Sequence, residues 1–309
     1  MIIQHMNTAF NGIAPLPHLG VIRVEGEEAA KFLHGQLTQD FLLLGLHEAR
    51  LAAFCSAKGR MLASLICFKR GHGDILMVCS RDLLAPTLKR MNMFVMRAKA
   101  RLSDASDGFV VRGLAGSALP GNVAANQPWA KADVAGAHLV SLYPADGVAR
   151  ALWIAPLGEP EPVSQPLSTA DWLLSEVRSG VATISEPLVE AFVPQMLNYE
   201  SVGGVNFKKG CYPGQEVVAR SQFRGTLKRR AFLAHSESPM AAGQDVFQSG
   251  DADQPCATVV QAARTFSGHF EAIVSGQIAV MQSHGLHVGS VDGPALQIKA
   301  MPYALLEDV

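Results

Sequence analysis

The chain has 309 residues, a formal net charge of −1, 49% apolar residues and 17% charged residues. At roughly 100 to 200 residues per domain, this length predicts two or three domains, each large enough to bury a core. The apolar fraction argues against intrinsic disorder, and the near-neutral charge gives no overall attraction to nucleic acid.

The first third of the chain contains four strand patterns and two helix patterns. The start, MIIQHMNTAF, has no Lys or Arg ahead of an apolar block, so it does not predict a secretory leader. LGVIRVEG is typical of a strand, EEAAKFLHGQL of a helix, and RLAAFCSA, GRMLASLICFKR and GDILMVCS of three further strands. RDLLAPTLKRMNMFV follows as a helix with Pro86 in its first turns. This order predicts an α+β fold on an antiparallel sheet rather than a doubly wound one.

The rest of the chain predicts a hairpin, a well-marked helix and short β segments. HLVSLYP and ARALWIAP would pair around a turn at residues 146–147. STADWLLSEVRSG is typical of a helix that begins with a capping box, Ser168 with Asp171, and ends at Gly180. Beyond Arg230, short β segments broken by Gly, Asp and Ser predict a closed C-terminal β-barrel. No apolar run approaches the roughly 18 residues of a membrane helix, so we expect a cytoplasmic protein with no membrane partner.

The cysteines predict reduced and mostly buried thiols. Five cysteines are too few for a disulfide scaffold in a chain of this length, and their odd number leaves at least one unpaired. Cys55, Cys67 and Cys79 are spaced twelve apart, without a Cys-x-x-Cys or His-x-x-x-His pattern. This spacing argues against a zinc or iron–sulfur site made by the chain alone. We expect these three residues to be core cysteines of successive strands.

The segment NFKKGCYPGQEVVAR, residues 206–220, surrounds Cys211 with unusual chemistry. Lys208 and Lys209 precede the thiol, and nearby positive charge stabilises a thiolate, the usual route to a reactive cysteine. A structural cysteine after any Lys-Gly turn would have the same local sequence. The residues alone therefore leave both a reactive and a buried structural Cys211 open.

Basic residues also cluster along this part of the chain, opposed by the single acid Glu216. Such a cluster focuses positive potential and favours an anionic partner, either a carboxylate tail or a phosphate backbone. A solvated loop paired with acids from elsewhere in the fold is the alternative. The cluster comprises Lys208, Lys209, Arg220, Arg224, Lys228, Arg229 and Arg230.

The run GGVNFKKGCYPGQEVVAR, continued by SQFRG, closely resembles the signature of the YgfZ family, Lys-Gly-Cys-Tyr-x-Gly-Gln-Glu. FLHGQLTQD, SAKGRMLA and FVPQMLNYESVGGVNF resemble further family segments in the family's order, so the resemblance spans most of the chain. The family is similar in fold to the glycine cleavage T-protein, a folate-dependent aminomethyltransferase. The resemblance implies a T-protein-like α+β ring of three domains. These are a discontinuous folate-binding domain (1–48 and 108–225), a ferredoxin-like domain (49–107) and a C-terminal β-barrel (226–309).

The resemblance also implies a function. Members are regarded as tetrahydrofolate-binding proteins that support iron–sulfur enzymes, including one that thiomethylates tRNA. The implied cofactor is tetrahydrofolate or a one-carbon derivative. The implied partners are iron–sulfur enzymes or cluster-assembly proteins, with tRNA as a further partner.

Site residues can be carried over from the hallmark position by position. Cys211 becomes the key thiol, held as thiolate by Lys209, and no metal ligands are implied. Trp172 falls where the family has a tryptophan at its folate pocket, and an indole there would stack on a flat ring; a core position in an amphipathic helix is the alternative. The implied folate site comprises Trp172, Leu19, Arg178, Tyr212, Gln215 and Glu216. The implied anion- or partner-binding surface comprises Lys208, Arg220, Arg224 and Lys228.

Three positions depart from the pattern of the relatives. Aligning PLPHLGVI with the T-protein's Asp-Val-Ser-His-Met places Pro15 at its catalytic Asp. Proline cannot accept or relay a proton, which argues against glycine cleavage. Leu19 stands where related members carry a second aromatic residue, and Arg178 where relatives often have a pterin-binding Glu, with Glu176 nearby. These departures predict a folate pocket of altered shape.

Three functions fit these residues. The first, which we expect, is a folate-binding accessory protein for iron–sulfur cluster assembly or repair, with Cys211 acting toward a cluster or a persulfide. The second is a folate-dependent one-carbon transferase that acts on a small molecule or on RNA. The third is a non-catalytic module whose basic segment docks tRNA or a protein. The sequence leaves open whether the protein turns over any substrate.

Overall fold

A computed structural model gives the fold of the chain and describes residues 10–223 and 227–306. Its helices are α1 (Ala29–His34), α2 (Arg81–Asn92), α3 (Gly121–Ala124), α4 (Thr169–Ser179), α5 (Gln215–Phe223) and α6 (Ile278–Met281). Its strands are β1 (Gly12–Pro15), β2 (Leu19–Glu25), β3 (Ala49–Cys55), β4 (Met61–Lys69), β5 (Ile75–Ser80), β6 (Arg101–Asp104), β7 (Phe109–Ala115), β8 (Lys131–Val134), β9 (Ala137–Ala145), β10 (Val148–Pro156), β11 (Arg229–Ser236), β12 (Asp245–Gln248), β13 (Ala257–Arg264), β14 (Phe270–Gln277), β15 (Leu286–Val288) and β16 (Ala295–Lys299).

The first sheet has the strand order β3-β4-β5-β2-β6 and is antiparallel throughout. Every residue of β5 is buried, as expected for a strand with both faces covered. Cys55, Cys67 and Cys79 lie in β3, β4 and β5 and are at most 2% exposed. Their predicted place as core cysteines on successive strands is confirmed.

The second sheet has the strand order β1-β7-β10-β9-β8, and helix α4 packs on it through Trp172. A Cβ atom at Gly113 of β7 would lie 2.4 Å from the indole ring, so only glycine admits this contact. The predicted ends of α4 are confirmed. The Ser168 side chain accepts a hydrogen bond from the Asp171 N–H at 3.0 Å, and Gly180 caps the helix with a φ of 71°.

The C-terminal strands close a barrel in the order β11-β14-β13-β12-β15-β16. The predicted α+β class and the predicted barrel are thereby confirmed. Two barrel residues bond to helix α4: Gln261 of β13 to Glu176, and Glu271 of β14 to Arg178. Helix α4 therefore lies between the second sheet and the barrel, and it carries the polar side chains that join them.

The domain limits stay a prediction, but the strand pairing bears on one of them. Strand β2 forms hydrogen bonds with β5 on one side and with β6 on the other. The predicted limit between residues 48 and 49 therefore divides strands of one sheet. Of the helices that the structure describes, none is long and apolar enough to cross a membrane.

Candidate functional site

Cys211 lies on the surface, whereas Cys55, Cys67, Cys79 and Cys256 are buried. Burial raises the pKa of Cys55 and of Cys79 to about 12, so both thiols stay protonated near neutral pH. Of the five cysteines, Cys211 is therefore the one that is accessible to a dissolved reagent. The buried structural alternative for Cys211 is wrong.

Lys209 holds the loop that carries the thiol, residues 208–214, which we call the hallmark loop. The Lys209 side chain is buried, and its Nζ donates hydrogen bonds to the backbone carbonyls of His34 and Leu37, the latter at 2.8 Å. The Tyr212 ring centre lies 4.6 Å from the same atom. Burial lowers the pKa of Lys209 to about 8, against the opposing effect of the charges of Asp40 and Cys211. Lys209 thus fastens the loop to the end of α1 and places a cation within electrostatic reach of Cys211.

Gly214 lets the hallmark loop pass against the turn between β3 and β4. Its φ is 81°, and a Cβ atom there would lie 2.4 Å from the Ser56 carbonyl oxygen. Helix α5 begins at the next residue, Gln215. Glu216 is exposed and pairs with Arg220 at 3.1 Å. The hallmark loop is therefore fixed at both ends, by Lys209 and by Gly214.

A cavity of about 60 Å³ lies between the two sheets and helix α4, with room for about four water molecules. Its walls are mostly apolar, and Glu176, Arg150 and Tyr143 are among its few polar groups. Leu19, which the sequence assigned to a folate site, lines this cavity. Tyr212, Gln215 and Glu216 were assigned to the same site, but none of these three described residues lines the cavity.

Trp172 is fully buried behind the cavity wall. Its Nε1–H donates to Glu176 Oε1 at 2.8 Å, and the guanidinium carbon of Arg150 lies 4.9 Å from its ring centre. This burial agrees with the core alternative for Trp172. Stacking of the indole on a folate ring stays a prediction, and it requires the ring to be uncovered.

Glu176, rather than Arg178, is the charged side chain of helix α4 at the cavity. Its Oε2 accepts a hydrogen bond from Gln261 Nε2 at 2.9 Å. Arg178 instead donates to Glu271 at 2.7 Å and to Asp146 at 2.6 Å and does not line this cavity, so its place at a folate site stays a prediction. Glu176 lies four residues after Trp172 and therefore shares its helix face, whereas Arg178 lies on another face. That spacing was the signal for Glu176 in the sequence.

Two surface grooves adjoin the cavity. The first, the Arg81 groove, measures about 610 Å³, shares Glu176 with the cavity and includes His18 and Arg81. The second, the Lys208 groove, measures about 680 Å³, shares Trp129 with the cavity and includes Lys208. The cavity and each groove therefore lie on the two sides of a shared wall residue.

The basic cluster divides into exposed and buried members. Lys208, Arg220 and Lys228 are exposed, and the prediction for Arg224 lies outside the described residues. Arg230 is buried and donates to Glu200 at 2.6 Å. The alternative of charges paired within the fold therefore holds for Arg230, and the anionic-partner hypothesis rests on the exposed members.

Pro15 and the acidic side chains bear on acid–base and metal chemistry. Pro15 ends strand β1, and its carbonyl oxygen accepts a hydrogen bond from Thr169 Oγ1 at 2.9 Å. It contributes no acid–base group at this position. In the parts of the chain that the structure describes, no group of three or more His, Cys, Asp or Glu side chains is arranged to hold a metal ion.

Comparison with known proteins gives relatives in sequence and in fold. No protein-family model matches the chain. It is 32% identical over 276 residues to the tRNA-modifying protein YgfZ of Edwardsiella ictaluri, covering 83% of this chain and 82% of that relative. It is 29% identical over 309 residues to the protein of the same name from Enterobacter sp., covering 92% and 90%.

The fold is similar to the crystal structure of the glycine cleavage system aminomethyltransferase T from Bartonella henselae. The TM-score is 0.66 at 15% identity, over 94% of this chain and 86% of that one. At this identity the similarity establishes the fold alone. The predicted T-protein-like fold class is confirmed.

Proposed function

The chain belongs to the family of tRNA-modifying YgfZ proteins, and from that premise we propose that it is a tetrahydrofolate-binding accessory protein. In this role it supports the assembly or repair of iron–sulfur enzymes, including the enzyme that thiomethylates tRNA. Cys211 is its functional thiol. The observation that carries the proposal is the exposure of this one thiol, on a loop fixed at both ends, while the other four cysteines are buried.

The cavity residues fit the ring end of a folate. Glu176 offers carboxylate oxygens to ring N–H donors, and Leu19 offers apolar surface to a ring face. In the adjoining Arg81 groove, both ring nitrogens of His18 are buried without a hydrogen-bond partner, and Nε2 lies 3.5 Å from Glu176 Oε1. Unpartnered buried polar atoms of this kind are expected where a ligand or water completes the hydrogen bonding. A bound tetrahydrofolate would supply a carrier for one-carbon units here.

The volume limits how a folate can be seated. A cavity of about 60 Å³, with room for about four water molecules, is smaller than a folate ring system, so a ring can place only its edge there unless the lining side chains move, and the glutamyl tail must lie in a groove outside it. Lys208 and Arg81 each place a cation in one of the two grooves. An anionic tail is attracted to such positions.

The test of the function uses a strain that lacks this protein and carries one variant of it. We expect Cys211→Ala to lower thiomethylated tRNA, measured by mass spectrometry of digested tRNA, to the level of the empty strain. Cys256→Ala is the matched control, because Cys256 is buried in the barrel and makes no part of the hallmark loop. Full restoration by Cys211→Ala would refute a functional thiol.

A docking role for RNA has one specific observation in its favour. The rings of Phe207 and Phe223 meet edge to face with centres 5.3 Å apart, and Phe223 is 53% exposed. Lys208 and Arg220 lie on the same two segments and are exposed. Aromatic faces beside cations are the usual platform for single-stranded nucleic acid.

The RNA role is tested by binding of tRNA at several salt concentrations. We expect Phe223→Ala and Lys208→Glu to weaken binding, and affinity to fall steeply with salt because phosphate contacts release counterions. Arg101→Glu, an exposed charge on strand β6, serves as control. Absence of binding at low salt would leave the accessory role without direct RNA contact.

A further inference from the structure

His34, the last residue of helix α1, is held at both its backbone and its ring. Its carbonyl oxygen accepts a hydrogen bond from Lys209 Nζ of the hallmark loop. Its Nδ1 lies 3.2 Å from Asp40 Oδ1. Its Nε2 faces the loop at Gly210, where a Cβ atom would lie 3.2 Å away. The side chain is thus oriented toward the residue directly before Cys211.

Asp40 fixes which nitrogen of the ring carries the proton. Its Oδ1 also accepts hydrogen bonds from the backbone N–H groups of Leu42 and Leu43, at 2.9 and 3.1 Å. Burial raises the pKa of Asp40, but these hydrogen bonds and His34 outweigh it, so the net shift is downward. An ionised carboxylate only accepts, so Nδ1 must donate to it. The lone pair of neutral His34 then lies on Nε2, on the side of the hallmark loop.

We propose that His34 accepts the proton of the Cys211 thiol when the exposed Cys211 side chain rotates toward Nε2, with Asp40 as the positioning residue that holds the imidazole. The S–H bond breaks, an N–H bond forms at Nε2, and a thiolate beside an imidazolium results, without electron transfer. Two lysines belong to the segments that carry His34 and Cys211. Lys209 adds positive charge from the side of the hallmark loop. Lys31 of helix α1 forms an ion pair with Glu28 at 3.0 Å. This inference rests on the proposed function, because it gives the functional thiol its base.

The test is the rate at which iodoacetamide alkylates Cys211 in the purified full-length protein, followed by intact mass. At about pH 6.5 we expect His34→Gln to slow alkylation at least about tenfold, and Asp40→Asn to slow it less. At about pH 9.5 the rates should converge, because an ordinary thiol ionises unaided above roughly pH 8.5. A role in access alone would lower the rate at both pH values. His72→Gln, an exposed histidine in the turn after β4, is the matched control.

Each outcome decides the inference. A His34→Gln protein that is alkylated at the wild-type rate at about pH 6.5, or equally slowly at both pH values, overturns it. If His34→Gln does not fold, Asp40→Asn gives the same comparison, because asparagine keeps the oxygen that accepts from Leu42 and Leu43 but not the charge. The tRNA assay of Cys211→Ala stays separate. Normal alkylation of His34→Gln with loss of thiomethylation in Cys211→Ala refutes the base and not the thiol.

Discussion

The Lys209 ammonium acts on the fold as well as on the thiol. Two of its N–H donors are used by the carbonyls of His34 and Leu37, and the Tyr212 ring covers it. Such a cation cannot swing toward a ligand without leaving two carbonyls unpaired. Lys209 therefore acts on Cys211 only through its positive charge, which favours the thiolate. A group other than Lys209 must accept the thiol proton.

Replacing Lys209 should destabilise the protein. We expect Lys209→Met to lower the free energy of unfolding by about 1–3 kcal/mol, because buried carbonyl groups lose their donor. Urea unfolding followed by circular dichroism measures the change. Lys208→Met, the exposed neighbour, should stay within about 0.5 kcal/mol of the wild type. Equal stability of both variants would show that the Lys209 contacts contribute nothing to folding.

The same pair of proteins has a predicted pH dependence. Burial lowers the pKa of Lys209 to about 8 in the folded state, whereas an unfolded lysine titrates near 10.4. Between these values the unfolded chain binds more protons, so the Lys209 contribution to stability rises with pH and is lost as pH falls through about 8. We expect the stability gap between wild type and Lys209→Met to widen from about pH 8 to pH 10. A gap that narrows would mean that the charged amine is the stabilising form.

Glu176 is the residue on which folate affinity should depend. We expect Glu176→Gln to raise the Kd for tetrahydrofolate about tenfold, or 1.4 kcal/mol, because a neutral amide accepts hydrogen bonds more weakly than a carboxylate. Calorimetry is the suitable measurement, since the fluorescence of Trp172 would change with its partner. Arg178→Gln is the control on the same helix. Its bonds to Glu271 and Asp146 predict lower stability with unchanged affinity.

Helix α4 is the element that brings the cavity, the second sheet and the barrel together. Trp172 packs on β7, Glu176 faces the cavity and bonds to the barrel, and Arg178 bonds to the barrel on another face. Because one short helix serves all three contacts, its first turn should matter for the stability of the whole protein.

The N-terminal cap of α4 gives a direct test. Ser168→Ala removes the acceptor of the Asp171 N–H, and we expect a loss of about 1 kcal/mol in the free energy of unfolding. Ser164→Ala, in the loop before the helix, is the matched control. Unchanged stability of Ser168→Ala in urea would mean that water replaces the hydroxyl without cost.

Local elements of this kind were predictable from sequence, and the site was not. The caps of α4, the buried cysteines of β3 to β5 and the barrel follow from local pattern and were correct. The partners of Lys209 and Arg178, and Gln261 as a partner of Glu176, lie far away along the chain, so no local pattern reveals them. The pairing of His34 with Asp40 spans six residues, but its position beside Gly210 is set by tertiary packing alone.

At the scale of the whole molecule, the two grooves beside the cavity differ in the charge of their lining residues. The Arg81 groove sets one arginine against two carboxylates, those of Asp82 and Glu176. The Lys208 groove sets Lys208 and Arg50 against the single carboxylate of Glu48. Electrostatics therefore favours the Lys208 groove for an anionic tail.

This difference predicts the path of a polyglutamate tail. We expect tetrahydrofolate with five glutamates to bind more tightly than the monoglutamate, and Lys208→Glu to reduce that preference about fivefold, the effect of a surface ion pair reversed in sign. Arg81→Glu, the matched reversal in the other groove, should leave the preference unchanged. Titration calorimetry at low and high salt measures both, since screening should remove the preference. If only Arg81→Glu removed it, the tail would leave on the opposite side of the cavity. A tail in the Lys208 groove instead reaches the loop of Cys211, because Lys208 begins that loop, and folate binding would then act directly on the thiol's surroundings.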